Sequence, residues 1–113
     1  MQPNSAVTAA TIDLDHEPVP AEQSVSGEPR TGAHALTAFE GLEVGVWEMT
    51  PGTMSDVEAD EVFVVLSGSA TVEFGDGTPA LQLGAGDVAR LAAGAETVWT
   101  VTETLRKVYL TRG

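Results

Sequence analysis

The chain contains no cysteine. Disulfides, thiolate nucleophiles and zinc–thiolate sites are therefore excluded, and the composition suits a reducing compartment, so we expect a cytoplasmic protein. No window approaches the ~18 uninterrupted apolar residues of a membrane span. Residues 1–20 have neither the basic stretch nor the apolar core of a signal peptide. The sequence thus predicts no membrane partner.

Basic residues are also scarce, since five Lys and Arg face seventeen Asp and Glu and the formal net charge is −12. Such a surface repels the phosphates of nucleic acids and anionic lipids, so we expect no nucleic-acid partner. The acidity favours solubility, or a preference for cationic or neutral ligands or for a hard metal ion. The 113 residues suffice for one domain with a core.

Residues 1–30 have few large apolar side chains and contain Pro3, Pro18, Pro20 and Pro29. No periodic pattern lasts long enough to bury the surface that would offset the entropy of ordering. We predict a disordered or loosely attached acidic tail over residues 1–30 and a folded domain over residues 31–113. The alternative for the tail is an edge strand from Val7 to Leu14, folded back on the domain or on a partner.

A convincing helical pattern is missing throughout the folded region. Apolar and β-branched residues recur in short runs separated by glycine-rich turns, at roughly 8–12-residue spacing, which is typical of an all-β sandwich or barrel. Residues 54–61 are acidic and predict a loop or a frayed strand. The predicted strands cover residues 35–39, 42–49, 62–66, 70–74, 81–83, 88–91, 97–102 and 105–110.

Two spacings connect these strands to a known superfamily. Glu61 is followed by six residues and Gly68, and Gly86 is followed by five residues and Ala92-Ala93-Gly94. Both spacings resemble the two motifs of cupins, with Ala92 in place of a proline. The resemblance implies an all-β double-stranded β-helix, the cupin jelly-roll barrel, which is often dimeric.

Further matches run from residue 27 to residue 112. They comprise GVWEMTPG at residues 45–52, DEV at 60–62, GD at 86–87, AG at 93–94 and WTVTETLRKVY at 99–109. In these motifs the chain resembles the small cupins named for the (S)-ureidoglycine aminohydrolase cupin domain. The named activity belongs to longer, two-barrel members of that family.

Metal-binding cupins hold their ion with three histidines and a glutamate. Counted from the motifs, the histidine positions fall on Met54, Asp56 and Thr97, and only the glutamate, Glu61, is retained. Iron, nickel, copper and zinc favour imidazole donors, so we predict no metal cofactor. The alternative is a divalent Mn²⁺ or Mg²⁺ held by the carboxylates of Asp56 and Glu61.

Glu61 is the candidate catalytic residue. If it points into the barrel, desolvation raises its pKa and makes it a general acid or base. The alternative is a carboxylate at the rim, bonded to the backbone or to Arg90. Alternation along the strands predicts an apolar pocket with a few polar groups, although the tryptophans could equally be plain core. The predicted ligand-binding residues are Trp47, Met54, Asp56, Phe63, Thr97 and Trp99.

The favoured function is therefore metal-independent binding of a small organic ligand in the barrel, or a structural or regulatory role. The alternative is a metal-dependent enzyme acting on a ureido or amide-type metabolite. The outward face of Val62, Val64 and Leu66 needs a cover, which the tail or a second subunit could supply, so we expect a homodimer. Arg106 and Lys107 are expected to balance acids such as Glu48 or Glu103.

Overall fold

A computed structural model describes residues 1–112, in which nine strands and no helix occur. All of the pairings between these strands are antiparallel, so the predicted all-β class is confirmed. No helix in the described range could cross a membrane. The strands are β1 (Glu17–Pro18), β2 (Ser24–Ser26), β3 (Arg30–Phe39), β4 (Leu42–Met49), β5 (Gly52–Val57), β6 (Asp60–Phe74), β7 (Leu81–Gly84), β8 (Val88–Leu91) and β9 (Glu96–Arg112).

Two long strands, β6 and β9, organise the barrel. They pair with each other along most of their length. Along the edge that faces away from β6, β9 pairs first with β5 and then with β4. Along the edge that faces away from β9, β6 pairs with β8 and then with β7. Both strands therefore run through two halves of the structure, and their inward side chains reach one common core.

Each long strand appeared in the sequence as two short ones. The turn predicted at Ser67-Gly68-Ser69 is wrong, because β6 continues through a series of register shifts against β9. Gly68 has a φ of 91° at this irregularity, so it bends the strand without ending it. β9 likewise runs through residues 103–104. The loop or frayed strand predicted from residue 54 is partly wrong, since β5 is a paired strand over Gly52–Val57.

Residues 1–29 lie against the barrel in the structure. β1 pairs with the start of β3, and β2 pairs with β5. The alternative of an edge strand from Val7 to Leu14 is wrong, because the strands of this segment lie further along the chain. Val19 and Pro29 are buried against the barrel. The division of the chain at residue 30 stays a prediction.

Arg106 links this N-terminal segment to the sheet. Its side chain projects from the outer face of β9 and is 10% exposed. The guanidinium donates to the carbonyl oxygens of Ala9 at 3.0 Å and Ile12 at 2.7 Å, and Nε lies 3.2 Å from the carboxylate of Glu48. The opposite oxygen of Glu48 lies 2.7 Å from His16 Nε2. Arg106 therefore balances Glu48 as expected.

The interior is filled by side chains of both long strands. Phe63, Val65 and Val72 come from β6, and Trp99 and Leu105 come from β9, all with at most 1% of their surface exposed. Burying this apolar surface is the main contribution to stability that the barrel offers.

Gly68 gives a direct test of the bulged strand. An added Cβ would collide with the carbonyl oxygen of Thr104 in a backbone conformation that L-residues disfavour. We expect Gly68→Ala to lower the free energy of unfolding by about 3 kcal/mol. Gly77 is the matched control, because its φ is 87° but no atom lies within 4 Å of an added Cβ. Gly77→Ala should cost about 1 kcal/mol. If urea denaturation showed equal losses of unfolding free energy for the two variants, the predicted collision with Thr104 would be contradicted.

Candidate functional site

A cavity of about 320 Å³, open to solvent at its mouth, lies between strands β4, β5, β6 and β9. Its wall combines aromatic and aliphatic side chains with several ionisable groups. The lining residues are Ala33, Trp47, Met54, Asp56, Val57, Glu58, Ala59, Glu61, Trp99, Lys107, Tyr109 and Thr111.

Strand alternation explains why these side chains meet. Directly opposite residues of an antiparallel pair point to the same face of the sheet. Trp47 on β4 lies opposite Lys107 on β9, and Met54 on β5 lies opposite Trp99 on β9. Side chains from three neighbouring strands are thereby collected on the inner surface.

Lys107 is the only lysine of the chain, and it lies inside the barrel. Its side chain is 5% exposed, and that of its partner Glu61 is 12% exposed. The Nζ atom lies 3.2 Å from Oε1 and 3.3 Å from Oε2 of Glu61. The ammonium is thus held between both carboxylate oxygens.

Three aromatic rings surround the same nitrogen. The Lys107 Nζ atom lies 4.5 Å from the ring centroid of Trp47, 4.2 Å from that of Phe63 and 4.8 Å from that of Trp99. The faces of these rings carry negative potential and attract a cation. The rings also pack against one another, with centroids 5.5 Å apart for Trp47 and Trp99. The ammonium therefore has favourable partners on several sides.

Burial shifts the pKa values of this pair toward each other. Desolvation lowers the pKa of Lys107, and the nearby carboxylates of Glu61, Glu58 and Asp56 offset only part of that effect. Desolvation raises the pKa of Glu61, although the attraction of Lys107 opposes the change. Both shifts reduce the free energy needed to pass a proton from the amine to the carboxylate.

Two more carboxylates face the cavity. Glu58 Oε2 accepts hydrogen bonds from Thr97 Oγ1 at 2.6 Å and from Trp99 Nε1 at 3.0 Å, which fixes the ring of Trp99. Asp56 Oδ1 accepts from Gln23 Nε2 at 3.2 Å. Desolvation and the neighbouring charge of Glu58 raise the pKa of Asp56. The wall thus contains three carboxyl groups and one amine.

Tyr109 closes another side of the cavity. Its hydroxyl donates to Glu43 Oε2 at 2.8 Å. Desolvation and that hydrogen bond raise the pKa of Tyr109 to about 12. An added Cβ on Gly45 would collide with this hydroxyl, so the glycine makes room for the tyrosine. Tyr109 is accordingly a neutral hydroxyl at physiological pH.

Most of the predicted site residues meet in this cavity. Trp47, Met54, Asp56, Glu61 and Trp99 line it directly. Phe63 and Thr97 lie behind the wall, where Phe63 packs on Trp99 and Thr97 supports Glu58. The roles of all seven in ligand binding or catalysis stay predictions.

The alternative of a rim carboxylate bonded to Arg90 applies to Asp60, the residue before Glu61. Arg90 pairs with the carboxylate of Asp60 at 3.1 Å and reaches only the backbone oxygen of Glu61. The side chain of Glu61 instead faces the cavity.

Glu58 and Tyr109 line the cavity although they were not predicted as site residues, and Lys107 is the most central residue that the sequence analysis missed. The prediction that Lys107 balances Glu48 or Glu103 is wrong, because its ammonium binds the carboxylate of Glu61. A signal was available, since the alternation that places Trp99 and Val101 inside also places Lys107 and Tyr109 inside. The irregular stretch around Glu103 hides the continuity, because the side chains of residues 102–104 are exposed.

The donors present do not fit the metal that the cupin resemblance implies. Met54 stands at one histidine position, the hydroxyl of Thr97 is engaged by Glu58, and the carboxylate of Glu61 is engaged by Lys107. His16 bonds Glu48 on the outer face, and His34 is exposed on β3. Within residues 1–112 no group of three or more His, Cys, Asp or Glu side chains could hold a metal ion.

Comparison with known proteins supports the fold. A family model for the EutQ-like cupin domain matches residues 36–109. The chain is similar to a protein of unknown function from Pseudomonas syringae pv. tomato, with a TM-score of 0.75 and 25% identity over 89% of this chain and 45% of that one. It is also similar to the EutQ protein of Clostridium difficile, with a TM-score of 0.63 and 18% identity over 84% and 79% of the two chains.

A cupin superfamily protein from Desulfitobacterium hafniense is similar as well, with a TM-score of 0.59 and 14% identity over 72% and 75% of the two chains. The predicted jelly-roll barrel is therefore confirmed. The chain spans less than half the length of the Pseudomonas syringae protein. A search of curated proteins finds no match to the chain.

The pair of Glu61 and Lys107 predicts a strong interaction in a double-mutant cycle. Glu61→Gln or Lys107→Met alone leaves a buried charge without its partner and should lower the free energy of unfolding by about 3–5 kcal/mol. The double variant should recover most of that loss, because neither charge remains. Urea denaturation at neutral pH measures all four free energies.

The control cycle uses the exposed pair of Arg90 and Asp60, whose side chains are 58% and 49% exposed. Water screens this pair, so Arg90→Met and Asp60→Asn should show little interaction. If the losses of unfolding free energy at Glu61 and Lys107 were additive, the predicted interaction within the buried pair would be contradicted.

Proposed function

The chain belongs to the family of EutQ-like cupin domains, and from that premise we propose that its barrel binds a small organic ligand without a metal. The observation that carries the proposal is the ammonium of Lys107 bound to Glu61, the one retained residue of the usual cupin ligand set. A fixed internal cation neutralises the carboxylate that would otherwise hold a metal. The cavity beside it remains open to a ligand.

The charges of the wall favour neutral or cationic ligands. Asp56, Glu58 and Glu61 face the cavity against the single amine of Lys107. The negative charge of the whole chain acts in the same direction. Asp56 has the raised pKa of a half-buried carboxyl group and offers an acceptor to an amide or an ammonium. Trp47 supplies an aromatic surface of the kind found in small-molecule sites.

Glu61 supports a chemical role in addition to binding. Its carboxyl group faces the cavity, and burial raises its pKa toward the range useful for proton transfer. We propose Glu61 as the general acid or base of any reaction in this barrel. If the barrel catalyses no reaction, we propose a structural or regulatory role for the protein.

The rival proposal is a metal-dependent enzyme acting on a ureido or amide-type metabolite, as the resemblance to the ureidoglycine aminohydrolase cupins suggests. Its support is that the carboxylates of Asp56 and Glu61 both line the cavity. It requires Lys107 to release Glu61 to a hard ion such as Mn²⁺ or Mg²⁺. Elemental analysis and loss of turnover with a chelator would favour it over the metal-free proposal.

A matched set of probes tests the preference for charge. Benzamide, benzylammonium and benzoate are similar in size and differ in charge, and Trp47 and Trp99, the only tryptophans, report binding by fluorescence. We expect benzoate to bind at least about tenfold more weakly than the other two, because the carboxylates of the wall repel its negative charge. Equal binding of benzoate would contradict the proposal.

Asp56→Asn should reduce the difference between benzylammonium and benzoate, because it removes one carboxylate from the wall. Asp76→Asn is the control, since it makes the same change of charge at an exposed hairpin residue that does not line the cavity. A loss of discrimination in both variants would indicate a general surface effect.

We also propose a homodimer through the outer face of β6 and β8. The N-terminal segment covers β4 and β9 near Arg106, but it leaves Val62 37% exposed and Val88 68% exposed. Val88 lies opposite Val64, and Leu110 lies opposite Val62, so the apolar residues form one continuous patch.

The lack of cysteine further supports a proposed cytoplasmic location.

Size-exclusion chromatography with light scattering tests the dimer. Val88→Glu should convert the dimer to a monomer, because it buries a charge in an apolar interface. Val25→Glu is the control, since Val25 is 59% exposed on β2, outside the patch. A wild-type monomer at micromolar concentration would contradict the proposal.

A further inference from the structure

We propose that Lys107 captures small aldehydes or ketones, its Nζ forming a reversible imine with a carbonyl compound bound in the barrel cavity. The inference rests on the proposed function, because it requires that the cavity admits a small organic ligand. It adds a chemical class of ligand and a covalent step.

The position of Lys107 is unusual for a purely structural residue. A lysine normally keeps its ammonium in water, yet the one lysine of this chain is 4% exposed. A buried ion pair contributes little net stability compared with apolar residues of the same volume. The fold therefore gains little from the amine as such, and a chemical use of the amine accounts for its place.

The amine is within reach of a bound molecule. Lys107 and Glu61 both line the cavity of about 320 Å³, and Trp47 and Tyr109 line it beside them. The apolar rings lie 4.2–4.8 Å from Nζ, and only 4% of the surface of Lys107 is exposed, so few water molecules reach the nitrogen. Exclusion of water favours the condensation, because the condensation releases water.

The step needs no oxidant, reductant or metal. The ammonium first passes one proton to the carboxylate of Glu61, which leaves a neutral amine and a neutral carboxylic acid. The nitrogen lone pair then attacks the carbonyl carbon, a C–N bond forms and the C=O π bond breaks. The oxygen takes the proton of the Glu61 carboxylic acid, and the nitrogen returns one proton to the Glu61 carboxylate, which gives a neutral carbinolamine. Glu61 protonates the hydroxyl group, which leaves as water while the nitrogen lone pair forms the C=N bond.

The groups that face Nζ favour this sequence. Glu61 on β6, Asp56 on β5 and Glu58 in the connection between those strands surround the amine, and no second cation among residues 1–112 lines the cavity. A protonated imine keeps the positive charge that these carboxylates attract. Burial lowers the pKa of Lys107 and raises that of Glu61, which eases the initial proton transfer.

Reductive trapping tests the proposal on the intact chain. Benzaldehyde is added with cyanoborohydride at neutral pH, and peptide mapping by mass spectrometry locates the benzylated amine. Arg90→Lys provides an internal reference, because position 90 is exposed on β8 and the barrel interior is unchanged. The amine of Met1 labels on a separate peptide and does not interfere.

We expect Lys107 to label at least about tenfold faster than the amine introduced at position 90, because a larger fraction of Lys107 is neutral. In urea the two amines should label at the same rate. A folded protein in which the amine at position 90 labels as fast as Lys107, or faster, would overturn the proposal.

Benzyl alcohol separates this inference from the proposed function, because it has the shape of benzaldehyde without the carbonyl group. Binding of benzyl alcohol, seen by tryptophan fluorescence, together with no adduct at Lys107 would overturn the inference and leave ligand binding intact. Failure of both probes would overturn both. In Lys107→Met the interior adduct should disappear, and an adduct that persists away from Met1 would contradict the assignment to Lys107.

Discussion

The ion pair between Glu61 and Lys107 is the constraint on which the rest of the barrel interior depends. Two charges removed from water each carry a desolvation penalty, and only close, multiple contacts offset it. The carboxylate provides two such contacts and the faces of Trp47, Phe63 and Trp99 provide the others. Glu58 in turn orients Trp99 through its indole N–H. The ionisable groups of the cavity are therefore parts of one arrangement, and a change in one alters the electrostatic surroundings of the others.

The geometry of β6 and β9 explains why a lysine serves here. Glu61 lies opposite Thr111, and Lys107 lies opposite Val65, so the two residues are four positions apart along the paired strands. Four residues of a strand extend about 13 Å, which short side chains cannot span. The pair Phe63 and Tyr109 lies between them, and the lysine reaches Glu61 across the ring of Phe63. The apolar residue between the charges thus supports the lysine stem and attracts its ammonium.

The sequence predicted the barrel well because alternation and glycine turns report a local property of strands. Leu42–Met49 and Val88–Leu91 were predicted with the bounds that the structure shows. Counted from Glu61 and Thr97 as inward residues, the same alternation predicted Trp47 and Trp99 in the cavity wall, while a position at the rim stayed the alternative for Glu61. Lys107 was missed because the bulge near Gly68 and the exposed residues 102–104 interrupt the alternation between Trp99 and Lys107. Lys107 was instead predicted to balance Glu48 or Glu103, and only tertiary contacts reveal the aromatic rings around its ammonium.

Arg106 and Lys107 show how one pair of adjacent residues connects the outside of the barrel to its cavity. Successive residues of a strand point to opposite faces, so Arg106 projects outward and Lys107 inward. Each neutralises a glutamate of a neighbouring strand, Glu48 outside and Glu61 inside. Arg106 also holds the backbone of the N-terminal segment. Because both side chains share one stretch of β9, the attachment of that segment and the position of the amine in the cavity depend on the same backbone.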